Sequence, residues 1–461
     1  IINSLIAGNT TSGLRAYGGG VFTRGEVAIQ DSELSRNITY GDAAHGGGML
    51  SFGVATITGS TISNNLTVGD NAQGGGIFKT NSGEITISNS VIELNQTEGV
   101  NAYGAGVRGG EVRIIDGSVI SNNQTTGENA RGGGIHATID LEVSDSEVTG
   151  NATTAERAKG GGAHSVGSVT ITDSTFSGNS TAGSLAFGGG AHSNGALTVT
   201  NSTISGNSTG DAKGGGLSSV GALVVMNSTI SNNSTTGGDG GGAGVYSDDA
   251  VTLVGSTISG NTSTGDFSYG GGLLARKGLT ATNSTIAGNS VGEFGSGGAA
   301  RINGAATITN STITGNSIGE NGLGGGGLVV FGDVTVTNSI VLGNNNQGAS
   351  EIVEISSGNG LITVTGANII GADSDGFDVS GQVDAASSTG TVQNATAATV
   401  FAVTRDNNGV TAGLLDDNGA PIQTVALRVG LDNPALDAAT ISGLDARGEA
   451  RGIDLAGTAN G

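Results

Sequence analysis

The segment VTITDSTFSGNSTAGSLAFGGG, residues 169–190, contains the pattern on which most of the chain is built. Its anchor is Ser174, which is followed by an asparagine five residues on, at Asn179, and by a glycine triplet fourteen residues on, at Gly188. Serines anchor thirteen copies of this pattern, most of which include the triplet, and most copies are 28 residues apart: Ser4, Ser32, Ser60, Ser90, Ser118, Ser146, Ser174, Ser202, Ser228, Ser256, Ser284, Ser311 and Ser339. A period of this length indicates a repeat architecture.

The residue five positions after the anchor is an asparagine in every copy. These asparagines are Asn9, Asn37, Asn65, Asn95, Asn123, Asn151, Asn179, Asn207, Asn233, Asn261, Asn289, Asn316 and Asn344. A column of identical amides predicts an inward ladder, in which each side chain bonds the copies above and below it. The six asparagines that we single out as the structural ladder are Asn123, Asn151, Asn179, Asn207, Asn233 and Asn261.

The repeat unit has the periodicity of β-strands. Val169, Ile171 and Phe176 alternate with Thr170 and Thr172, so apolar and hydroxyl side chains fall on opposite faces. Strands this short bury a face only when copies stack on one another. The predicted fold is therefore all-β, a right-handed parallel β-helix solenoid of about 13 coils of ~28 residues with a β-rich C-terminal cap. The glycine triplets are expected at corners that need positive φ or a close approach of the backbone.

The repeats predict three regions. Residues 1–344 form the parallel β-helix, residues 345–400 form degenerate coils or a linker, and residues 401–461 form the cap. Because the chain starts inside a coil without an initiator methionine, we expect it to be part of a longer protein.

Composition narrows the classes of partner. The net charge of −22 argues against nucleic acid and against anionic membrane surfaces as partners. The chain also contains 89 glycines, no cysteine and no tryptophan. No apolar run is long enough for a membrane span. This composition favours an extracellular protein and excludes disulfide and thiol chemistry.

Two resemblances extend this interpretation. The segment Phe176-Ser177-Gly178-Asn179 and the glycine triplets resemble the F-x-x-N and G-G-A repeats of chlamydial polymorphic outer-membrane proteins. The tail is similar to the choice-of-anchor Q domain of secreted bacterial β-helix proteins, with NIIG (368–371), DNGAPIQTVAL (417–427), NPALDAA (433–439) and DARGEARGIDLAG (445–457). The resemblance implies export, display on a bacterial cell surface, a downstream anchor and no catalytic activity.

A basic and aromatic strip near the glycine triplets is the first candidate site. Its ligand-binding candidates are Arg108, Arg131, His136, Lys159, His164 and His192. The column two residues past the triplet is expected to face outward, where it would contact an anionic glycan or a protein partner. Two alternatives stay open, which are a histidine ladder that binds a metal ion and plain stacking on a solvated sheet.

Acidic residues give a second candidate site. Asp373, Asp375 and Asp378, in the segment GADSDGFD, offer oxygen ligands for calcium, which is the only cofactor that the sequence suggests, although Asp-Gly clusters also form plain turns. A further acidic column in the edge loops, which includes Asp42 and Asp70, either binds calcium or discourages edge-to-edge aggregation.

The sequence predicts a structural or adhesive module of a secreted protein rather than an enzyme. Its expected partners are a second copy of the chain or a glycan or protein on a host or neighbouring cell. One alternative is a polysaccharide-acting enzyme, which needs grouped carboxylates and aromatic platforms. Another is an adhesin that binds ice or mineral through outward threonine pairs such as Thr307 and Thr309.

Overall fold

The parts of the chain that the computed structural model describes are residues 1–80, 83–211, 213–238, 240–346 and 354–373, and strand segments between 376 and 425. The chain forms two compact units, residues 1–222 with 233–235 and residues 223–232 with 236–461. Both units are built mainly of parallel strands stacked coil on coil, and the described residues contain no helix. The predicted parallel β-solenoid of about 13 turns with a period near 28 residues is confirmed.

Three parallel sheets form the first unit. Sheet 1 contains the strands after the anchor serine: Leu5–Ala7, Glu33–Ser35, Thr61–Ser63, Val91–Glu93, Val119–Ser121, Glu147–Thr149, Thr175–Ser177 and Thr203–Ser205. Sheet 2 contains the strands after the asparagine: Thr10–Ser12, Ile38–Tyr40, Leu66–Val68, Gln96–Glu98, Gln124–Thr126, Ala152–Thr153, Ser180–Thr181, Ser208–Thr209 and Ser234–Thr235.

Sheet 3 takes two strands from each coil. Those that follow the glycine triplet are Val21–Thr23, Met49–Ser51, Ile77–Lys79, Val107–Gly109, Ile135–Ala137, Ala163–Ser165, Ala191–Ser193 and Leu217–Ser219. Those that precede the next anchor are Val27–Gln30, Ala55–Thr58, Glu84–Ser88, Glu111–Ile115, Leu141–Ser144, Val169–Thr172 and Leu197–Thr200.

The second unit repeats this arrangement. Its sheet 1 strands are Thr229–Ser231, Thr257–Ser259, Thr285–Ala287, Thr312–Thr314, Ile340–Leu342, Ala367–Asp373 and Thr391–Ala395. The strand Gly376–Phe377 pairs antiparallel with the end of Ala367–Asp373. Its sheet 2 strands are Thr262–Ser263, Ser290–Val291, Ser317–Ile318 and Asn345–Asn346. Its sheet 3 strands are Val245–Ser247, Ala300–Ile302, Leu223–Met226, Ala250–Val254, Leu273–Ala275, Gly278–Thr282, Ala305–Thr309, Leu328–Val330, Val334–Thr337, Ile355–Thr365 and Val379–Val383. Short hairpin strands follow at Thr404–Asn407, Val410–Gly413, Leu415–Asp416 and Thr424–Val425.

Register between coils follows the sequence period. Val169 pairs with Leu197 and Ile171 pairs with Val199, so inward aliphatic side chains stack on one another. These four residues are at most 1 % exposed. The alternation that predicts strands therefore also predicts the core, because side chains of a strand point to opposite faces in turn.

The asparagine ladder lies inside the solenoid. The Asn151 Nδ2 atom donates to Asn179 Oδ1 at 3.0 Å and to the Ile120 carbonyl at 2.8 Å. Its Oδ1 atom accepts from the backbone N and the Nδ2 atom of Asn123, at 3.0 and 2.9 Å. All six asparagines singled out as the ladder are 0 % exposed, which confirms the inward prediction: Asn123, Asn151, Asn179, Asn207, Asn233 and Asn261.

A carboxylate closes the ladder in the second unit. Glu354 is 2 % exposed, and its oxygens accept from Gly343 N at 2.7 Å, from Asn344 N at 3.2 Å and from Asn344 Nδ2 at 2.5 Å. Glu354 takes the place of the asparagine of a following coil, whose side-chain oxygen would otherwise accept the bonds from Asn344. Sequence reasoning missed this residue, because it lies ten positions after Asn344 and outside the repeat pattern.

Seven inward threonines of sheet 2 in the first unit have buried hydroxyl groups without a hydrogen-bond partner among the described residues. The members of this column are Thr39, Thr67, Thr97, Thr125, Thr153, Thr181 and Thr209. The corresponding column of the second unit already holds Val291 and Ile318. The position therefore accepts a purely apolar side chain.

We expect Thr125→Val to raise the free energy of unfolding by about 1 kcal/mol, because it removes a buried, unpaired hydroxyl while it keeps the branched shape. Urea unfolding of both proteins measures the change. Thr170→Val, at an exposed position of sheet 3, is the control and is expected to leave stability nearly unchanged. A loss of stability in Thr125→Val would show that the hydroxyl bonds an internal water molecule.

Candidate binding surface

The glycine triplets of the first unit form a corner between two columns of side chains, which we call the corner strip. The bridge column holds the residue before each triplet, and neighbours pair through isolated parallel bridges: Tyr17, His45, Gln73, Tyr103, Arg131, Lys159, Phe187 and Lys213. The strand column holds the middle residue of each strand after the triplet: Phe22, Leu50, Phe78, Arg108, His136, His164, His192 and Ser218.

Positive φ at the triplet brings the two columns together. Gly132 has a φ of 61°, and a Cβ at this position would lie 2.0 Å from the Ile135 carbonyl oxygen. The tight turn folds the bridge column over the outer face of the next strand. Its aromatic rings then stack on the strand column, with ring centroids 4.4 Å apart for His45 and Phe78 and 5.0 Å apart for Tyr103 and His136.

The strand column lies on the side opposite the core, but most of its members are buried and do not face solvent. Arg108 is 7 % exposed, His136 and His192 are 2 % exposed, and His164 is 0 % exposed. Strand alternation correctly places these side chains on the side opposite the core. It could not show that the bridge column of the same coils covers them.

Cations of the corner strip stack on aromatic rings. The guanidinium carbon of Arg108 lies 4.8 Å from the centroid of Phe78, and that of Arg131 lies 5.3 Å from the centroid of Tyr103. The Lys159 Nζ atom lies 5.5 Å from the centroid of Phe187. The structure thus brings all six predicted ligand-binding residues into one strip, but it buries the three histidines inside that strip.

The buried histidines form a hydrogen-bonded stack. The Nδ1 atoms of His136 and His164 are 2.9 Å apart, so one of them donates to the other. In His192, the Nε2 atom lies 3.0 Å from Asn194 Oδ1 and the Nδ1 atom lies 3.0 Å from the Ser218 hydroxyl. An arrangement in which Nε2–H donates to the amide oxygen and Nδ1 accepts from the serine satisfies both contacts with a neutral ring.

Burial keeps these rings neutral. Desolvation, reinforced by neighbouring cations, lowers the pKa of His192 to about 3 and that of His45 to about 4. Desolvation also holds the pKa of His136 and His164 well below the usual value. Arg108 is the nearby charge that acts on both His45 and His136. The first unit therefore holds histidines that resist protonation while it is folded.

We expect the first unit to lose stability as the pH falls from about 6.5 to about 4. Unfolded histidines take up protons below pH 6.5, whereas folded His45 does not until about pH 4, so acid favours the unfolded chain. His45 alone contributes up to about 3 kcal/mol across this window, at 1.36 kcal/mol for each pKa unit. Urea unfolding at pH 7, 6, 5 and 4 measures the effect.

His45→Gln is the matched variant for this prediction, because Gln73 already occupies the next position of the same column. The difference in stability between wild type and His45→Gln should shrink with falling pH or change sign, since only wild type carries the titrating ring. Parallel pH curves for the two proteins would contradict the assignment of the acid sensitivity to His45.

Two residues beside the strip were missed by sequence reasoning. Lys79 is 0 % exposed, and its Nζ atom donates to the carbonyls of Phe52 at 3.2 Å and Thr80 at 3.1 Å. Phe52 is 44 % exposed and lies in the turn after a strand of sheet 3. Lys79 had a sequence signal, because its repeat position otherwise holds small residues such as Ser51 and Gly109.

The second unit has a smaller counterpart of the strip. The guanidinium carbon of Arg301 lies 4.0 Å from the centroid of Tyr269 and 4.9 Å from that of Phe331. Its NH1 atom donates to Ser296 Oγ at 3.1 Å. The same corner therefore places a cation on an aromatic ring in each unit.

The candidate metal ligands receive no structural test. The strand Ala367–Asp373 ends at the first of them, but Asp375 and Asp378 lie outside the described residues, so the calcium site stays a prediction. In the part of the chain that the structure describes, no group of three or more His, Asp or Glu side chains could hold a metal ion. The edge-loop acid Asp42 has a structural partner, because its Oδ1 atom accepts from Asp70 N at 3.2 Å.

Comparisons with known proteins address the fold. A family model described as the right handed beta helix region matches residues 52–265. The solenoid is a right-handed β-helix. No curated protein and no solved structure gave a significant match. Within its described residues, the β-helix has no helix that could serve as a membrane span.

The resemblances to bacterial surface proteins stay predictions. Most tail segments that carry the likeness to the choice-of-anchor Q domain, from 417 onward, lie outside the described residues. NIIG, at 368–371, lies in a described strand of sheet 1.

Proposed function

We propose that this β-helix is a structural and adhesive module of a secreted bacterial surface protein, and that its corner strip contacts a glycan or a protein on another cell. The strip supports the proposal, because aromatic rings and stacked cations recur at the same corner from Tyr17 to Lys213. Rings and guanidinium groups are enriched in protein contact surfaces and also suit sugars.

The ladder supports the structural part of this role. Each buried asparagine uses its amide to bond the coils on either side, so neighbouring coils of a unit stabilise one another. In a solenoid, stability then grows with the number of coils rather than with a single large core. Such a module suits a stalk, a passenger domain or a fibre subunit, and end-to-end or lateral self-association is part of the proposal.

A non-catalytic role is also part of the proposal. Glycosidases of the common type group two carboxylates around one bond. In this β-helix the edge-loop acids recur one per coil, and Asp42 and Asp70 each accept a backbone N–H of the following coil. This use of the carboxylates is structural. Polysaccharide-acting enzymes do occur among right-handed β-helices, so activity has to be measured.

The test is binding of the purified protein to an array of acidic and neutral glycans and to intact bacterial and host cells. We expect retention on a defined subset of glycans or on one class of cell, with no release of reducing sugar from polysaccharides. Negative-stain microscopy should show end-to-end or lateral contacts. Release of reducing sugar, or an absence of retention on every surface, would contradict the adhesive role.

A second candidate function rests on a threonine array in the second unit. Two outward columns of sheet 3 pair in register over four coils: Thr280, Thr307, Thr335 and Thr363, and Thr282, Thr309, Thr337 and Thr365. Strands lie about 4.8 Å apart and alternate residues about 6.7 Å apart, so the methyl and hydroxyl groups form a regular grid. Such a grid could match a crystalline surface of ice or mineral.

Thermal hysteresis tests this second function. If the array binds ice, the purified protein should lower the freezing point below the melting point, and Thr307→Lys in the middle of the array should abolish the gap. An unchanged gap in the variant, or no gap in wild type, would count against it.

A further inference from the structure

The corner strip opens into a groove near its first coils. The groove is open to solvent and has a volume of about 600 Å³, and its walls include Tyr17, His45, Phe52, Phe78 and Arg108. Cavities of ~300–1,000 Å³ are the usual size for small-molecule sites. All of these residues belong to the first unit. The groove therefore has room for a small ligand at one defined place along the strip.

Aromatic rings supply the apolar walls of the groove. His45 stacks on Phe78 with centroids 4.4 Å apart, and Tyr17 stacks on His45 at 5.8 Å. Phe52 keeps 44 % of its surface exposed although it borders the cavity. Flat rings beside an open cavity suit a ligand with a flat apolar face and polar edges, which describes a pyranose ring.

Arg108 supplies a positive charge whose counter-charge is missing from the described residues. Its NH1 atom donates to the Lys79 carbonyl at 3.5 Å, while its Nε atom is buried without a hydrogen-bond partner in that part of the chain. The described ion pairs involve Arg113, Arg276 and Lys277. Desolvation lowers the pKa of Arg108 to about 10, which is the expected effect of burying a cation without an anion.

His45 adds a second unsatisfied group. Its Nδ1 atom is buried without a hydrogen-bond partner in the described residues, and the ring lines the same cavity as Arg108. An unpaired buried polar atom costs about 1–3 kcal/mol. A ligand that brought an acceptor or a donor to this wall would offset that cost.

We propose that this groove binds an acidic saccharide, with the sugar ring against the aromatic walls and its carboxylate or sulfate paired with Arg108. The inference rests on the adhesive function proposed above and assigns it a site and a ligand class. A guanidinium group forms two parallel hydrogen bonds with a carboxylate or sulfate, and these bonds are stronger in a partly dry groove than in water. The net charge of −22 repels polyanions at long range, so binding of an acidic saccharide depends on its local pairing with Arg108 in the groove.

The test is calorimetric titration of the whole chain with three oligosaccharides of similar length. The probes are a hyaluronan octasaccharide, which carries carboxylates only, a sulfated cello-oligosaccharide, which carries sulfates only, and the neutral cello-oligosaccharide. We expect saturable binding of at least one acidic probe, and the comparison of the two identifies the anion. Binding of neither acidic probe, or equal binding of the neutral one, would overturn the proposal.

Two variants locate the site. Arg108→Gln should weaken binding at least tenfold, and Phe52→Ala, whose side chain is half exposed and therefore dispensable for folding, should weaken it several-fold. Arg113→Gln is the control, because Arg113 belongs to the first unit but lies outside the corner strip, where it pairs with Glu84 and Glu142, and it does not line the groove. It should change the dissociation constant by less than twofold. Circular dichroism and urea unfolding check that each variant is folded.

The outcomes separate this inference from the adhesive function. If Arg113→Gln weakens binding as much as Arg108→Gln, or if Phe52→Ala and Arg108→Gln both bind normally, the groove is not the site, while the adhesive role stands. If the protein binds only neutral glycans or proteins on the array, the acidic ligand class is wrong and the adhesive role again stands. Retention on no surface would overturn both.

Discussion

Asn151→Ala is expected to lower the free energy of unfolding by about 4 kcal/mol. The change removes an acceptor for two donors of Asn123 and two donors that bond Asn179 and the Ile120 carbonyl. Each group left unpaired in the interior costs about 1–3 kcal/mol. The alanine also leaves a cavity beside Gly134, which contacts the amide of Asn151.

Amide hydrogen exchange gives the sharpest measurement of this effect. The backbone N–H of Asn123 donates to the Asn151 side chain, whereas that of Asn179 donates to Asn207 Oδ1 at 2.9 Å. In Asn151→Ala, the backbone amide of Asn123 should lose protection from hydrogen exchange, and the backbone amide of Asn179 should lose less of it. Urea unfolding measures the total loss of stability.

Asn9→Ala is the matched control at an exposed rung. Asn9 donates from its backbone N and its Nδ2 atom to Asn37 Oδ1, but its side chain is exposed. Its removal is expected to cost less than about 1 kcal/mol, because water replaces the lost partners. If Asn9→Ala and Asn151→Ala lost equal amounts of unfolding free energy, burial could not be the reason that the ladder stabilises the protein.

Gly161→Ala is expected to destabilise the first unit by about 3 kcal/mol or more. A Cβ atom at this position would lie 2.2 Å from the Ser180 carbonyl oxygen and 2.6 Å from that of Gly189. Both atoms are backbone, so the strand register has to shift before the methyl group fits. Overpacking of this kind typically costs about 1–3 kcal/mol, and a clash with two backbone oxygens lies at the upper end.

Gly25→Ala is the matched control and should have the opposite sign. A Cβ atom there meets nothing within 4 Å, and its φ lies outside the left-handed region. The variant should gain about 0.4–1 kcal/mol, because alanine restricts the unfolded chain more than glycine does. Urea unfolding of both variants measures the contrast. A small effect of Gly161→Ala would show that the coils can separate locally at little cost.

The glycine triplets illustrate how far the repeat pattern leads. It predicts a corner, and the first glycine of the triplet does adopt positive φ, as at Gly160 with 63°. The second glycine has a different reason, the close approach of neighbouring backbone at Gly161. That approach depends on how coils are spaced in three dimensions.

The repeat by itself determined the β-solenoid, the inward asparagines and the small-residue corners, because each depends on side chains that recur at one position of every coil. Only the tertiary structure decided that His136 and His164 are buried, that Glu354 ends the ladder and that Arg108 borders a groove with Phe52. These features arise where one column of side chains covers the outer face of a strand, or where the sequence departs from the repeat. The distance between such side chains is set by the path of the backbone, which strand alternation does not encode.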